Sequence, residues 1–378
     1  MRHTNLICVF SCAALFTLSG IVPIRADDGG DDGHNRYVQH NLVSDLAGMA
    51  TRTDTSFVNP WGIDRSPTGP WWVNANGTGL SIVLDAAGNP APAGNPIVVT
   101  IPPPPGSATS APTGIAANGT MDFLIEPAVQ AIFLFVTEDG SIAGWNPTIS
   151  RSAAVIKVPP PPGAVYKGMT LGQMGGHNVL YVANFGAGTV DVFDAGFGHV
   201  TLGRGAFQDT SIPAGFAPFN VQNIDGSIFV TFAKQDDAKH DDVPGPGLGY
   251  VDRFSPEGVL MGKLEHGAWM NSPWAVAKAP GNFGKLSNRL LVGNFGSGQI
   301  AAFNLQSGKF QGMMRATDGS PLSINGLWGL KFGNDGMAGP SNVLFFAAGI
   351  QDEAHGLFGT LTPGNGETEE SQEGDHRL

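Results

Sequence analysis

The sequence predicts an all-β fold, a six-bladed β-propeller of four-stranded blades whose ring is closed by an N-terminal strand pairing with the last blade. The main observation is a short Pro/aromatic/Gly signature that returns six times. Its copies are Pro60-Trp61-Gly62-Ile63, Pro112-Thr113-Gly114-Ile115, Tyr166-Lys167-Gly168-Met169, Pro218-Phe219-Asn220-Val221, Pro273-Trp274-Ala275-Val276 and Leu327-Trp328-Gly329-Leu330. Third positions are spaced by 52, 54, 52, 55 and 54 residues. A unit of that size, built from short apolar runs ended by turn residues, cannot bury its own apolar face and must stack on its neighbours. Composition agrees: 54 Gly and 28 Pro with 42% hydrophobic residues fit many tight turns between short buried strands.

From the N-terminus, residues 1–26 read as an export signal. Arg2 and His3 are followed by an apolar run over 6–18, and Ala26 offers a small cleavage-site residue. Both cysteines, Cys8 and Cys12, fall inside it, so the mature chain is expected to have no disulfide, thiol nucleophile or thiolate metal ligand. Without the signal, 18 basic side chains face 32 acidic ones, a surface that repels nucleic acid and anionic membranes. No later run is long and apolar enough to span a bilayer. The expectation is an exported monomer, secreted or periplasmic. Residues 27–36 read as a flexible acidic lead, 37–363 as the propeller and 364–378 as a disordered acidic tail.

In the first repeat, strands are predicted at 61–63 (A), 71–74 (B), 80–84 (C) and 97–101 (D). The sixth has A at 327–332, B at 342–347 and C at 356–361, then ends without D. Residues 37–43 have no place in the first blade. An open ring would expose a long strand edge, so this segment is predicted to supply the missing outer strand of the last blade. The proline runs 102–105 and 159–162 read as stiff spacers after the D strands.

A second alternation overlies the first. Blades 1, 3 and 5 carry glycine-rich B-to-C turns: Asn76-Gly77-Thr78-Gly79, Asn184-Phe185-Gly186-Ala187-Gly188 and Asn294-Phe295-Gly296-Ser297-Gly298. Blades 2, 4 and 6 carry acid there: Glu138-Asp139, then Asp236-Asp237 with His240-Asp241-Asp242, then Asp352-Glu353 with His355. In a propeller these turns share a face with the A-strand starts, around the mouth of the central channel.

The candidate chemistry follows from that face. Asp236, Asp237, His240, Asp241 and Asp242 lie on an unusually long turn. Their carboxylates suit Ca²⁺ or Mg²⁺, and the imidazole would admit Mn²⁺ or Zn²⁺; a solvated acidic loop is the alternative. Glu353 and His355 are the candidate catalytic pair, since alternate residues of an extended segment point the same way. Trp61, Tyr166, Phe219, Trp274 and Trp328 recur at blade starts, as an aromatic rim or as packing between blades. Asn59, Asn220, Asn271 and Asn325 offer amides to a ligand or cap turns. Of these, Trp61, Asn220, Trp274, Asn325 and Trp328 are the ligand-binding candidates. The expected function is binding of a small molecule, glycan or protein at the acidic face, with a divalent cation as candidate cofactor. The alternative is a metal-dependent hydrolase or lyase using the same face.

Pro112-Thr113-Gly114-Ile115-Ala116, and Val182-Ala183-Asn184-Phe185-Gly186-Ala187-Gly188 running on to Asp194, resemble the NHL class of six-bladed propellers. Asn59-Pro60-Trp61-Gly62, the run from Phe229 to Asp236 with His240-Asp241-Asp242, Asn294-Phe295-Gly296 and the run from Asp352 to Gly359 are similar to an uncharacterised family of exported bacterial propeller proteins. The resemblance implies the fold and an exported location, and no reaction. Six-bladed relatives include metal-dependent lactonases. Their pattern needs a channel-facing Glu that the A-strand starts here do not offer.

Overall fold

The structure, a computed structural model, describes residues 36–364. The predicted signal and nearly all of the predicted lead and tail lie outside these residues. Among the described residues no helix is long and apolar enough to cross a membrane.

Six antiparallel sheets follow one another. Blade 1 is Pro60–Asp64, Trp71–Ala75, Leu80–Leu84 and Val98–Thr100. Blade 2 is Pro112–Ala117, Phe133–Thr137, Ile142–Trp145 and Val155–Val158. Blade 3 is Tyr166–Met174, His177–Asn184 and Thr189–Asp194; blade 4 is Phe216–Ile224, Ser227–Lys234, Gly249–Phe254 and Leu260–Lys263. Blade 5 is Pro273–Lys278, Arg289–Asn294, Ile300–Asn304 and Phe310–Met313; blade 6 begins with Leu327–Phe332, Leu344–Ile350 and His355–Pro363. Each innermost strand touches that of the next blade, and the sixth touches the first, which closes the ring.

The N-terminal strand Arg36–Ser44 completes blade 6 by pairing antiparallel with His355–Pro363, Tyr37 opposite Pro363 and Ser44 opposite Leu357. Buried Tyr37 secures it, its hydroxyl donating to Phe283 O at 2.9 Å and accepting from Leu286 N at 3.1 Å. Blade 3 departs from the four-stranded expectation. After Asp194 the chain is glycine-rich, and although Val200 and Leu202 pack inward, only an isolated bridge, Phe193 to His199, marks the fourth position.

The core is divided between blades. One cluster joins Trp72 and Val83 to Phe133 and Trp145 across blades 1 and 2. Equivalent clusters fill the next three interfaces and the one between blades 6 and 1. The largest lies between blades 5 and 6 and extends onto the axis. Burying one such side chain stabilises by about 1.5–3 kcal/mol, and each cluster needs two blades to form.

All six A strands share one irregularity that fixes the axial side chains. In every blade the A–B register slips by one residue within the signature, a β-bulge at or beside its second residue. A bulge takes a residue out of the ladder and re-aims its side chain. Trp61, Phe219, Trp274 and Trp328, from four different blades, meet in one cluster, which only the axis permits. In four blades the third signature residue is glycine, and adjacent A strands crowd there. A Cβ on Gly62 would lie 2.3 Å from Thr113 O, and one on Gly168 only 1.9 Å from Asn220 Oδ1.

Candidate functional site

The acidic turns do converge at the face where the A strands begin, and they converge on a lysine. Lys167 holds the second signature position of blade 3, the slot aromatic residues hold in four other blades. It is 1% exposed, and its ammonium pairs with Glu138 of blade 2 and, at 3.2 Å, with Asp241 Oδ1 of the long blade 4 turn. The same ammonium lies 5.1 Å from the ring centre of Trp61. Burial alone would pull the lysine pKa down, but the two carboxylates outweigh it and hold Lys167 protonated.

Around this cation sit Asn76, donating to Glu138 Oε2 at 3.0 Å, and Asn59, donating to Glu353 Oε2 at 2.9 Å. Burial lifts the Glu353 carboxyl to about 7, with Glu138 and Asp241 adding to the rise and the Asn59 bond and Lys167 working against it. Asn59 itself is buried, and its Oδ1 has no partner in the protein.

Directly beneath lies an aromatic plug. Trp61 and Trp328 stack with ring centres 3.5 Å apart, Phe295 stacks on the other side of Trp328 at 3.9 Å, and Trp274 meets both tryptophans edge-on. Phe295 and Phe185 are the aromatic residues of the glycine-rich turns, so those turns help to seal the channel. Trp61 and Trp328 are 2% and 1% exposed, which leaves them as packing and not as a rim. Tyr166 does not join them. It takes the first signature position and is buried between blades 2 and 3, its hydroxyl 3.4 Å from Asp191 Oδ2.

The other sequence candidates part company. Asn220 donates to Trp274 O at 2.8 Å and accepts from Val221 N, and Asn325 accepts from Gln351 N at 2.7 Å; both are occupied by backbone. Glu353 and His355 do not point the same way. Gln351, Asp352 and Glu353 are all left-handed, at φ 56, 54 and 65°, so the segment is a coiled turn and not an extended one. Glu353 faces Asn59 and the channel, whereas His355 Nδ1 sits 2.7 Å from Asp45 Oδ2, at the outer strand of blade 6.

Of the predicted metal ligands, His240 and Asp241 come together with Glu138, ligand atoms lying within 4.8 Å of one another. Asp236 instead accepts from His240 N and shapes the turn, and Asp237 is exposed. Asp242 is turned inward, and burial raises its carboxyl to about 6. The trio could hold a divalent ion only in competition with the Lys167 ammonium, which bonds one oxygen of each of its two carboxylates. Lys167 and Glu138 were not among the candidates. Lining up the signature by position would have shown Lys167 in an aromatic slot.

The opposite end of the channel is open. A cavity of about 510 Å³ is walled by all six A strands from their third residues onward and opens where they end. At its mouth Lys331 pairs with Asp64 and Lys278 with Asp225. Arg65 donates to Phe332 O at 2.9 Å and Gly333 O at 3.0 Å.

No family model matches the sequence. Two uncharacterised proteins of Acanthamoeba polyphaga mimivirus are each 29% identical to it, one over 90% of this chain and 84% of its own length, the other over 85% and 84%. Among solved structures, a protein of unknown function from Bacteroides thetaiotaomicron superposes with a TM-score of 0.52 at 12% identity, over 86% of this chain and 76% of that one. A streptogramin B lyase superposes at 0.49 with 14% identity, over 87% of this chain and 97% of that one. At these identities the structural likeness is one of fold: the chain is a six-bladed β-propeller, similar over most of its length to uncharacterised viral proteins.

Proposed function

We propose that the protein is an exported binding propeller whose acidic face takes a small amine-bearing molecule. The observation that carries this reading is the convergence of Glu138, Asp241 and Glu353, from three different blades, beside the buried and unpartnered Oδ1 of Asn59. Carboxylates and an amide oxygen are all acceptors, so the complementary ligand is rich in donors and positively charged. Asp241 presents a side chain 65% exposed at the rim, from which such a ligand enters. Lys167 neutralises part of the acid and sets its geometry, a role that a bound cation would otherwise fill.

The test is titration of the mature protein with putrescine and spermidine by calorimetry at two salt concentrations. Saturable binding that weakens with salt, and weakens further in Asp241→Asn and Glu353→Gln, supports the reading. Binding by neither amine, or binding indifferent to both substitutions, removes it. A second reading has a specific observation behind it: a half-buried carboxyl lifted to about 7 and bonded to Asn59 is poised as a general base. Hydrolase or lyase chemistry on this face would run through Glu353 and not through His355.

A further inference from the structure

The cavity at the open end is a second site, independent of the acidic face, and we infer that it binds a neutral carbohydrate of one or two sugar units. Two features select that chemistry. First, the walls are the inner edges of six A strands, none of which has a partner strand on the axial side. Such an edge presents alternating N–H and C=O groups, and a hydroxyl group, both donor and acceptor, matches either.

Second, the charges at the mouth are already satisfied. Lys331 is paired with Asp64, Lys278 with Asp225, and Arg65 is held by two backbone carbonyls. Each of these charged groups thus has a partner among the described residues, a carboxylate for the two lysines and backbone carbonyls for Arg65. The exception to this self-sufficiency is Gln222, which lines the cavity and whose carboxamide makes no hydrogen bond to any described residue. A free carboxamide offers one acceptor and two donors to a pair of neighbouring hydroxyls.

Trp274 closes the inner end of the cavity as part of the aromatic plug, 5% exposed and with its Nε1 committed to Lys167 O at 3.1 Å. A volume of about 510 Å³ is within the range of small-molecule sites.

The experiment is titration of the mature protein with glucose, galactose, mannose and maltose, followed by calorimetry and by intrinsic tryptophan fluorescence. We expect at least one of the four to bind once per chain. Gln222→Leu should weaken it about tenfold or more, the effect of one lost hydrogen-bonding group, with the melting temperature unchanged because Gln222 holds nothing in place. Gln222→Glu keeps the size but removes both amide donors, and should weaken binding as well. Glu353→Gln, at the acidic face, should leave it intact. The proposal is overturned if none of the four sugars binds, or if binding survives both Gln222 substitutions. It is overturned equally if binding is lost in Glu353→Gln, which would place the sugar at the acidic face.

Discussion

The two ends of the axial channel are built from the same six strands and differ in what the second signature residue contributes. At the acidic end that residue is bulged onto the axis, and in four blades it is aromatic, so the channel is plugged and its cap of acid surrounds a buried ammonium. Beyond it the fourth residues pack into the blade interfaces, and the A-strand edges wall a cavity of about 510 Å³ on the axis. One residue per blade therefore decides whether the channel is core or cavity. The plugged end contributes to stability, whereas the open end carries little of it, and substitutions at the two ends should separate on that basis.

The largest separation is expected from Trp328→Ala. It removes a ring stacked between Trp61 and Phe295 and should cost about 3–5 kcal/mol, read by denaturant unfolding. Next is Lys167→Met, which strands Glu138 and Asp241 without their cation and should cost about 3 kcal/mol. That deficit should shrink on acidification, as the freed carboxylates are protonated. Elemental analysis should find Mn²⁺ or Zn²⁺ acquired by this variant and not by the parent. A parent that already carries a stoichiometric ion would show that Lys167 does not fill the role assigned to it.

Glu353→Gln should have a smaller, pH-dependent effect. The folded-state pKa of Glu353 is raised from 4.5 to about 7, so its contribution favours folding at low pH and is lost as pH rises from about 4.5 through 7. The glutamine variant should match the parent near pH 4 and gain on it above pH 7 by on the order of 1–2 kcal/mol, discounted for residual contact with solvent. A parallel pair of stability curves would mean that Glu353 is not buried as described. The smallest effect is expected at the open end, where Lys278→Gln breaks an exposed pair with Asp225 and should change stability by less than about 0.5 kcal/mol. A loss comparable to that of Trp328→Ala would break the comparison outright.

Most of the frame was legible because the repeat is legible. Turn residues and apolar runs located the A strands to within a residue or two, and the missing D strand of the last repeat pointed to residues 37–43. The bulges were not legible, since a one-residue slip leaves no mark in composition, and without them Tyr166 reads as an axial aromatic when the axial residue is Lys167. Pairing Glu353 with His355 assumed an extended backbone, which three successive left-handed residues deny. Blade 3 lacks a regular fourth strand where glycines flank the short alternating run of Val200 and Leu202. The acidic face was correctly anticipated as a meeting point, because topology alone brings those turns together.

The outer strand of blade 6 has a consequence for how the molecule is made. Ser44 bonds to Gly356 O across 312 residues of chain, so the earliest strand has to wait for nearly the last before it can pair. Until then both sides of the incomplete ring are bare edges, the kind of surface that recruits other chains. Closure depends on contacts of very high sequence separation, which form slowly. A protein shortened at the C-terminal side of residue 355 would thus lose more than one strand: it would be left with an orphaned first strand and a ring that cannot lock.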